Sequence, residues 1–130
     1  MPSSKDLGAV DIKYDAKVAH VLDGDLDVVL NVGKEDGVSI GNIFVIFSLG
    51  GEILDPDSKE SLGRLEIIKG RGRITHAQGK ISTLRSSSVA RQKRTVGSGL
   101  LSGLLTDNVE ESIEIPFESP EIGDFAKKIG

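Results

Sequence analysis

The chain has 130 residues, 38% of them hydrophobic, with a formal net charge of −4; that is enough for one domain with a modest core. It has no Cys and no Trp, which excludes disulfides, thiolate metal sites and thiol catalysis. One Tyr and four Phe leave an aliphatic core and few rings on which bases could stack.

The charge is unevenly placed. Residues 1–58 carry 11 acids against 4 bases, residues 59–94 carry 2 against 10, and residues 95–126 carry 7 acids and no base. A basic middle between acidic ends fits either a nucleic-acid surface or strands whose charges pair within the fold. The acidic pI of about 5.2 and the lack of an aromatic between Pro56 and Pro116 favour pairing.

Residues 1–16 show no sustained period and read as a partly ordered lead-in to a single domain over 17–130. They contain no apolar run of signal-peptide length. The expectation is a soluble cytoplasmic chain without a membrane association, or a periplasmic one if it is part of a longer exported protein.

From Lys17 the pattern is that of short strands. KVAHV breaks at Asp23-Gly24-Asp25, LDVVLNVG ends at Gly33, and Asp36-Gly37 and Gly41-Asn42 supply two turns. IFVIFSL is a continuous apolar run, suited to a strand buried on both faces or lying in a closed barrel. Strands EIL and RLEIIK flank DPDSKESLG. In RGRITHAQ the period of two places Arg71, Arg73 and Thr75 on one face and Ile74 and His76 on the other. KISTLR completes what reads as a β-meander.

After Leu84 the period fails. RSSSVARQKRTVGSG is polar and basic and reads as a loop, and Leu100, Leu101, Leu104 and Leu105 stand at helical spacing weakened by Gly99 and Gly103. The segment 86–111 is therefore expected as a loop or short helix. SIEIPF alternates like a strand, and a turn at Gly123-Asp124 leads into the last one. VSIGNIFVIF and PEIGDFAKKI share an apolar–Gly–Asn/Asp turn before a strand. Two copies of that device suggest first and last strands closing a small barrel. The expected fold is an all-β antiparallel barrel of about six to eight strands.

No catalytic constellation emerges. In DPDSKESLGRLE, Asp55, Asp57 and Glu66 match positions of a calcium loop, but Lys59 and Glu60 occupy places that need a ligand and a Gly; the stretch reads as a hairpin bend. Asp23, Asp25 and Asp27 alternate as in a weak cation site, but Lys34 stands at the twelfth position where a calcium loop has Glu, and the stretch reads first as a solvated acidic turn. His20 and His76 have no partner His or Cys nearby and read as half-buried strand residues. The serines at 86–88 sit on no nucleophile elbow, and the Gly97–Gly103 stretch matches no phosphate-loop spacing. No enzyme activity, metal or cofactor is expected.

What remains is a surface. Arg85, Arg91, Lys93 and Arg94, with Leu100, Leu101, Leu104 and Leu105, form the candidate partner-binding set. The apolar cluster is larger than a loop normally exposes, though it could equally cap the barrel. The expected partner is another protein or a second copy of the chain in a homo-oligomer. A nucleic-acid surface built on Arg71, Arg73, Arg85, Arg91, Lys93 and Arg94 is the alternative.

VGKEDGVSIGNIFVIF, the hairpin DPDSKESLG and the closing EIGDFAKKI together resemble the C-terminal β-barrel domain of the bacterial flagellar T-ring assembly protein and related small bacterial barrels. The shared pattern covers roughly residues 18–84 and 112–130. Lys59 departs from it where the hairpin usually has Gly, Asn42 where it has Asp, and 86–111 is inserted or diverged. The resemblance implies a small barrel with a non-enzymatic assembly role.

Overall fold

The computed structural model describes residues 14–96 and 107–130, with backbone alone over 92–96 and 107–110. Its strands are β1 (Ala16–Val21), β2 (Asp27–Leu30), β3 (Ile43–Leu54), β4 (Ser61–Ala77), β5 (Ser82–Ser86), β6 (Val89–Val96), β7 (Asp107–Glu114) and β8 (Phe125–Lys128). Six of them close an antiparallel barrel in the order β1-β2-β5-β4-β3-β8, with β8 returning to β1; β6 and β7 pair apart as a two-stranded ribbon. The all-β barrel expected from the turn spacing is what the chain forms.

The connectivity is not a meander. β2 pairs with β5, not with β3, through Asp27↔Arg85 to Leu30↔Ser82, so β2 to β5 form a Greek key. The chain leaves β2 through a 3₁₀ turn at Lys34–Asp36 that docks on the β4–β5 turn, Lys34 N–H donating to Gln78 O at 2.7 Å and Glu35 N–H to Gly79 O at 3.0 Å. A Cβ at Gly33 would overlap the Gln78 and Gly79 carbonyls, so only glycine lets this connection approach.

The echo between IGN and IGD is a structural repeat. Asn42 N–H donates to Ser39 O and Asp124 N–H to Glu121 O, both at 3.1 Å. Each side chain reaches back to the same amides, Ser39 N–H to Asn42 Oδ1 at 2.8 Å and Glu121 N–H to Asp124 Oδ2 at 2.7 Å. Gly41 and Gly123 both have φ 97°, a left-handed value that favours glycine. Both turns dock alike: Gly41 and Asn42 exchange backbone bonds with Ile74, and Gly123 and Asp124 with Val18, all at 2.8 Å.

The correspondence extends through the barrel. β1 bulges between Val18 and His20, and β4 between Ile74 and His76. Val29↔Thr83 and Val45↔Lys127 sit at the centres of two self-matching pairings, Val28↔Leu84 with Leu30↔Ser82, and Phe44↔Lys128 with Ile46↔Ala126. A local twofold thus relates β1, β2 and β3 to β4, β5 and β8. The second bulge corrects the expected face of His76: Ile74 points inward, but the extra residue turns His76 out and Ala77 in. His20, its counterpart, is exposed too.

Ala16, Val18, Val28, Leu30, Val38, Phe44, Ile46, Ile74, Ala77, Leu84, Phe117 and Ala126 fill the interior. Phe117 plugs one end, over Gly70 and Gly72, where added Cβ atoms would stand 2.9 Å from its ring. Phe47 is buried on the outer wall instead, stacked on Phe125 at 5.5 Å. The apolar run of β3 is thus buried on both faces, inward by Phe44 and Ile46 and outward by Phe47.

The expectation of a loop or helix over 86–111 is corrected where the structure describes it. Residues 89–96 and 107–111 are strand. Their sequence carries no sustained apolar alternation, and the two strands pair only with each other, in a register that sets Lys93 opposite Glu110 and Gln92 opposite Glu111.

Candidate functional site

β3 and β4 are 12 and 17 residues long, but β8 covers only Phe44–Phe47 of β3, and β5 only Gly72–Ala77 of β4. The remainder leaves the barrel as a two-stranded arm, residues 48–68, whose ladder joins only β3 and β4. At its tip Asp55 Oδ1 accepts the Asp57 amide at 2.7 Å and the Ser58 amide at 3.3 Å, and Lys59 takes a left-handed φ of 65°. The Asp55 carboxylate is thus occupied by the turn, and DPDSKE is a bend. Lys59 takes a left-handed corner that ordinarily favours Gly.

The arm is apolar beyond what a hairpin needs. Ile53, Leu54, Leu62, Leu65, Ile67 and Ile68 are each 45–62% exposed. Register puts Ile53 opposite Gly63 and Glu52 opposite Arg64, while a Cβ on Gly50 would touch Leu65 and Ile67. One face therefore carries Ile53, Leu65 and Ile67, and the other Glu52, Arg64 and Glu66. Sequence reasoning missed this surface by treating EIL and RLEIIK as barrel strands. The available signal was length, since runs of 12 and 17 residues exceed what four-residue and five-residue neighbours can cover.

The predicted basic set is only partly gathered. Arg85 on β5 donates from Nη1 to Asp27 Oδ2 at 2.9 Å, and from Nε and Nη2 to the two Glu114 oxygens at 2.8 and 2.7 Å. This bidentate clamp ties the ribbon to the barrel wall and is spent on the fold. Its hydrogen bonds raise Arg85 further above its ordinary range and lower the Glu114 carboxyl below the usual one. Ser86 Oγ donates to Ile115 O beside it. Arg91 lies opposite Ser112, Lys93 opposite Glu110 and Arg94 opposite Val109 on the ribbon. Leu100, Leu101, Leu104 and Leu105 lie outside the described residues.

Arg71 and Arg73 project from the outer face of β4, without an ion pair among the described residues. Lys69 donates to Asp124 Oδ2 at 2.9 Å and to Ser119 O at 2.8 Å, both side chains of the ion pair nearly buried. The Asp23–Asp25 turn is likewise structural: Asp25 O accepts the Phe117 amide at 2.9 Å, and Asp27 takes Arg85.

A cleft of about 660 Å³ opens between the ribbon base and the plugged barrel end, lined by Asp25, Lys69, Ser88 and Ile115 to Glu118. Lys69 is committed to Asp124, and the cleft brings no base to a nucleophile. Among the described residues no three His, Asp or Glu side chains converge as metal ligands, and no helix is long and apolar enough to cross a membrane. No protein-family model and no curated protein matches this chain.

Proposed function

We propose that this protein is a non-enzymatic assembly module that binds other proteins or its own copies. The carrying observation is the arm: two strands leave the barrel with six exposed aliphatic side chains and both edges open among the described residues. Such an edge is a ready template for a further strand, and solvent-exposed edges of this composition are normally blunted or covered. The resemblance of the hairpin tip and closing turn to the flagellar T-ring assembly barrel points in the same direction.

The test compares the full chain with an armless variant in which 49–66 is replaced by Asn-Gly, a two-residue turn joining the paired residues Ser48 and Ile67. Both are tagged, expressed in the cells that naturally make the protein and recovered under native conditions. The armless barrel is expected to keep its cooperative melt and to lose the co-purifying proteins, its own untagged copy included. An unchanged set of proteins would sink the reading.

A second reading rests on Arg71 and Arg73, which stand free on one outer face. A nucleic-acid surface there would give binding that weakens steeply with salt. Arg85 cannot extend it while clamped between Asp27 and Glu114. Anisotropy of a labelled single-stranded oligonucleotide, with Arg71→Glu/Arg73→Glu as control, decides it.

A further inference from the structure

We propose that the arm strand of β4 pairs with the same strand of a second copy of this chain, antiparallel, across a twofold axis at Leu65. The proposal rests on the assembly reading of the arm and names its occupant. From Ser61 to Ile68, β4 has a strand on one side only; β3 takes that edge, and β5 joins the other only from Gly72 onward. A row of backbone donors and acceptors is left for a partner strand.

The side chains choose the partner. A twofold normal to the ribbon keeps each face together and sets residues whose numbers are symmetric about the axis opposite each other. Centred on Leu65, it places Arg64 against Glu66 of the second copy, and Glu66 against its Arg64. Opposite charges then face across the new ladder twice. Centred one residue earlier it would set Arg64 against Arg64, and one later Glu66 against Glu66. Only the Leu65 register is self-complementary.

The other face agrees with that register. Leu65 meets Leu65, and Ile67 meets Gly63, where nothing lies within 4 Å of an added Cβ. The glycine leaves room for the isoleucine, and Ile53, opposite Gly63 on the same arm, lies next to it. The 45–53% of Ile53, Leu65 and Ile67 that now faces water becomes one continuous apolar row. The charges are available: among the described residues Arg64 bonds only the Gly50 carbonyl, through Nε at 2.9 Å, and Glu66 reaches Lys127 only at 3.6 Å.

Sedimentation velocity on the full chain, from about 1 to 200 μM, tests this together with charge reversal. The expected result is a concentration-dependent dimer. Arg64→Glu and Glu66→Arg each set two like-charge pairs across the interface and should weaken the dimer by on the order of tenfold. The double variant restores both pairs and should return to near the original constant. A monomer throughout the range overturns the proposal, as does a dimer that ignores the single reversals or a double variant that fails to recover. The armless comparison stays separate. A monomeric chain that still loses its co-purifying proteins with the arm keeps the assembly reading and loses only the second copy. A chain that loses nothing fails the assembly reading itself.

Discussion

The turns before β3 and β8 are built from the same parts, yet one ends in Asn42 and the other in Asp124. Both accept the amide three residues back, and both leave the isoleucine at their crest 68% exposed. The difference is Lys69. The bulge between Ile46 and Phe47 carries this lysine to the barrel end, where it needs an anion. In the first half β2 reaches β3 through the 3₁₀ turn at Lys34–Asp36 and the turn at Ser39–Asn42; in the second, β5 reaches β8 through the ribbon and a return segment that carries Phe117 over the barrel end. The Lys69–Asp124 pair fastens that return. The repeat makes the barrel, and what was added to it, the arm between the halves and the ribbon within the second, is where the halves stop matching.

The comparison breaks most sharply at Asp124. Asp124→Ala removes the acceptor of a turn amide and strands a lysine whose side chain is 11% exposed, a loss of about 3–5 kcal/mol. Asn42→Ala removes only the amide acceptor and should cost about 1 kcal/mol. Urea denaturation of the two variants checks the ratio; equal losses would mean that the ion pair contributes nothing. Asp124→Asn, which copies the first turn, belongs between them.

Next in size is the plug. Gly72→Ala drives a methyl against the Arg85 carbonyl at 2.5 Å, the Leu84 side chain at 2.8 Å and the Phe117 ring at 2.9 Å, and the overpacked barrel end should lose about 1–3 kcal/mol. Gly72→Ala combined with Phe117→Leu should lose slightly less than the sum of the two single changes, because the ring contact is relieved while the Arg85 carbonyl contact stays. Additive losses would show that the backbone carbonyl carries the whole clash.

A third change sharpens the match between halves. Ser82 is the counterpart of Val28 and is equally buried, but its hydroxyl has no hydrogen-bond partner among the described residues. Ser82→Ala should raise stability by about 1 kcal/mol, since the unpaired hydroxyl no longer has to be dehydrated. A loss of stability on thermal melting would show that the hydroxyl is satisfied in solution.

The pH dependence of the ribbon clamp is smaller. Arg85 holds the Glu114 carboxyl below its ordinary range. Its contribution is therefore present above the unfolded value of roughly 4.3 and is lost as the pH falls through the lower folded value. Glu114→Gln should flatten the acid limb of the stability profile slightly, and an unchanged limb would remove the clamp from the account.

Much of the barrel was legible because its signals are local. Gly41-Asn42 and Gly123-Asp124 announce turns, and the run around Phe44 announces a strand buried on both sides. Pairing β2 with β5 was not legible, since it depends on Gly33 approaching Gln78, a contact between segments 45 residues apart. His76 was misplaced because a bulge changes the period without changing composition. The ribbon was hidden for a related reason: its strands show no sustained apolar alternation and pair only with each other. At the candidate site the charges around Arg85 were visible, but the partners that neutralise them, Asp27 and Glu114, come from 58 and 29 residues away.

The smallest effect expected on stability is also the most telling for function. Leu65, half exposed on a stretch of β4 that pairs only with β3, is not part of the barrel core. Leu65→Lys should therefore change the unfolding free energy by no more than about 0.5 kcal/mol, the range of surface substitutions away from buried features. In the first half of the barrel the same change at Leu30, fully buried, would bury an unpaired charge and prevent folding. If Leu65→Lys leaves the melt of dilute, monomeric protein unmoved but removes its dependence on protein concentration, the leucine serves a partner and not the fold. If it lowers the melt at every concentration alike, the arm packs against the body of the molecule and its apolar face is ordinary core.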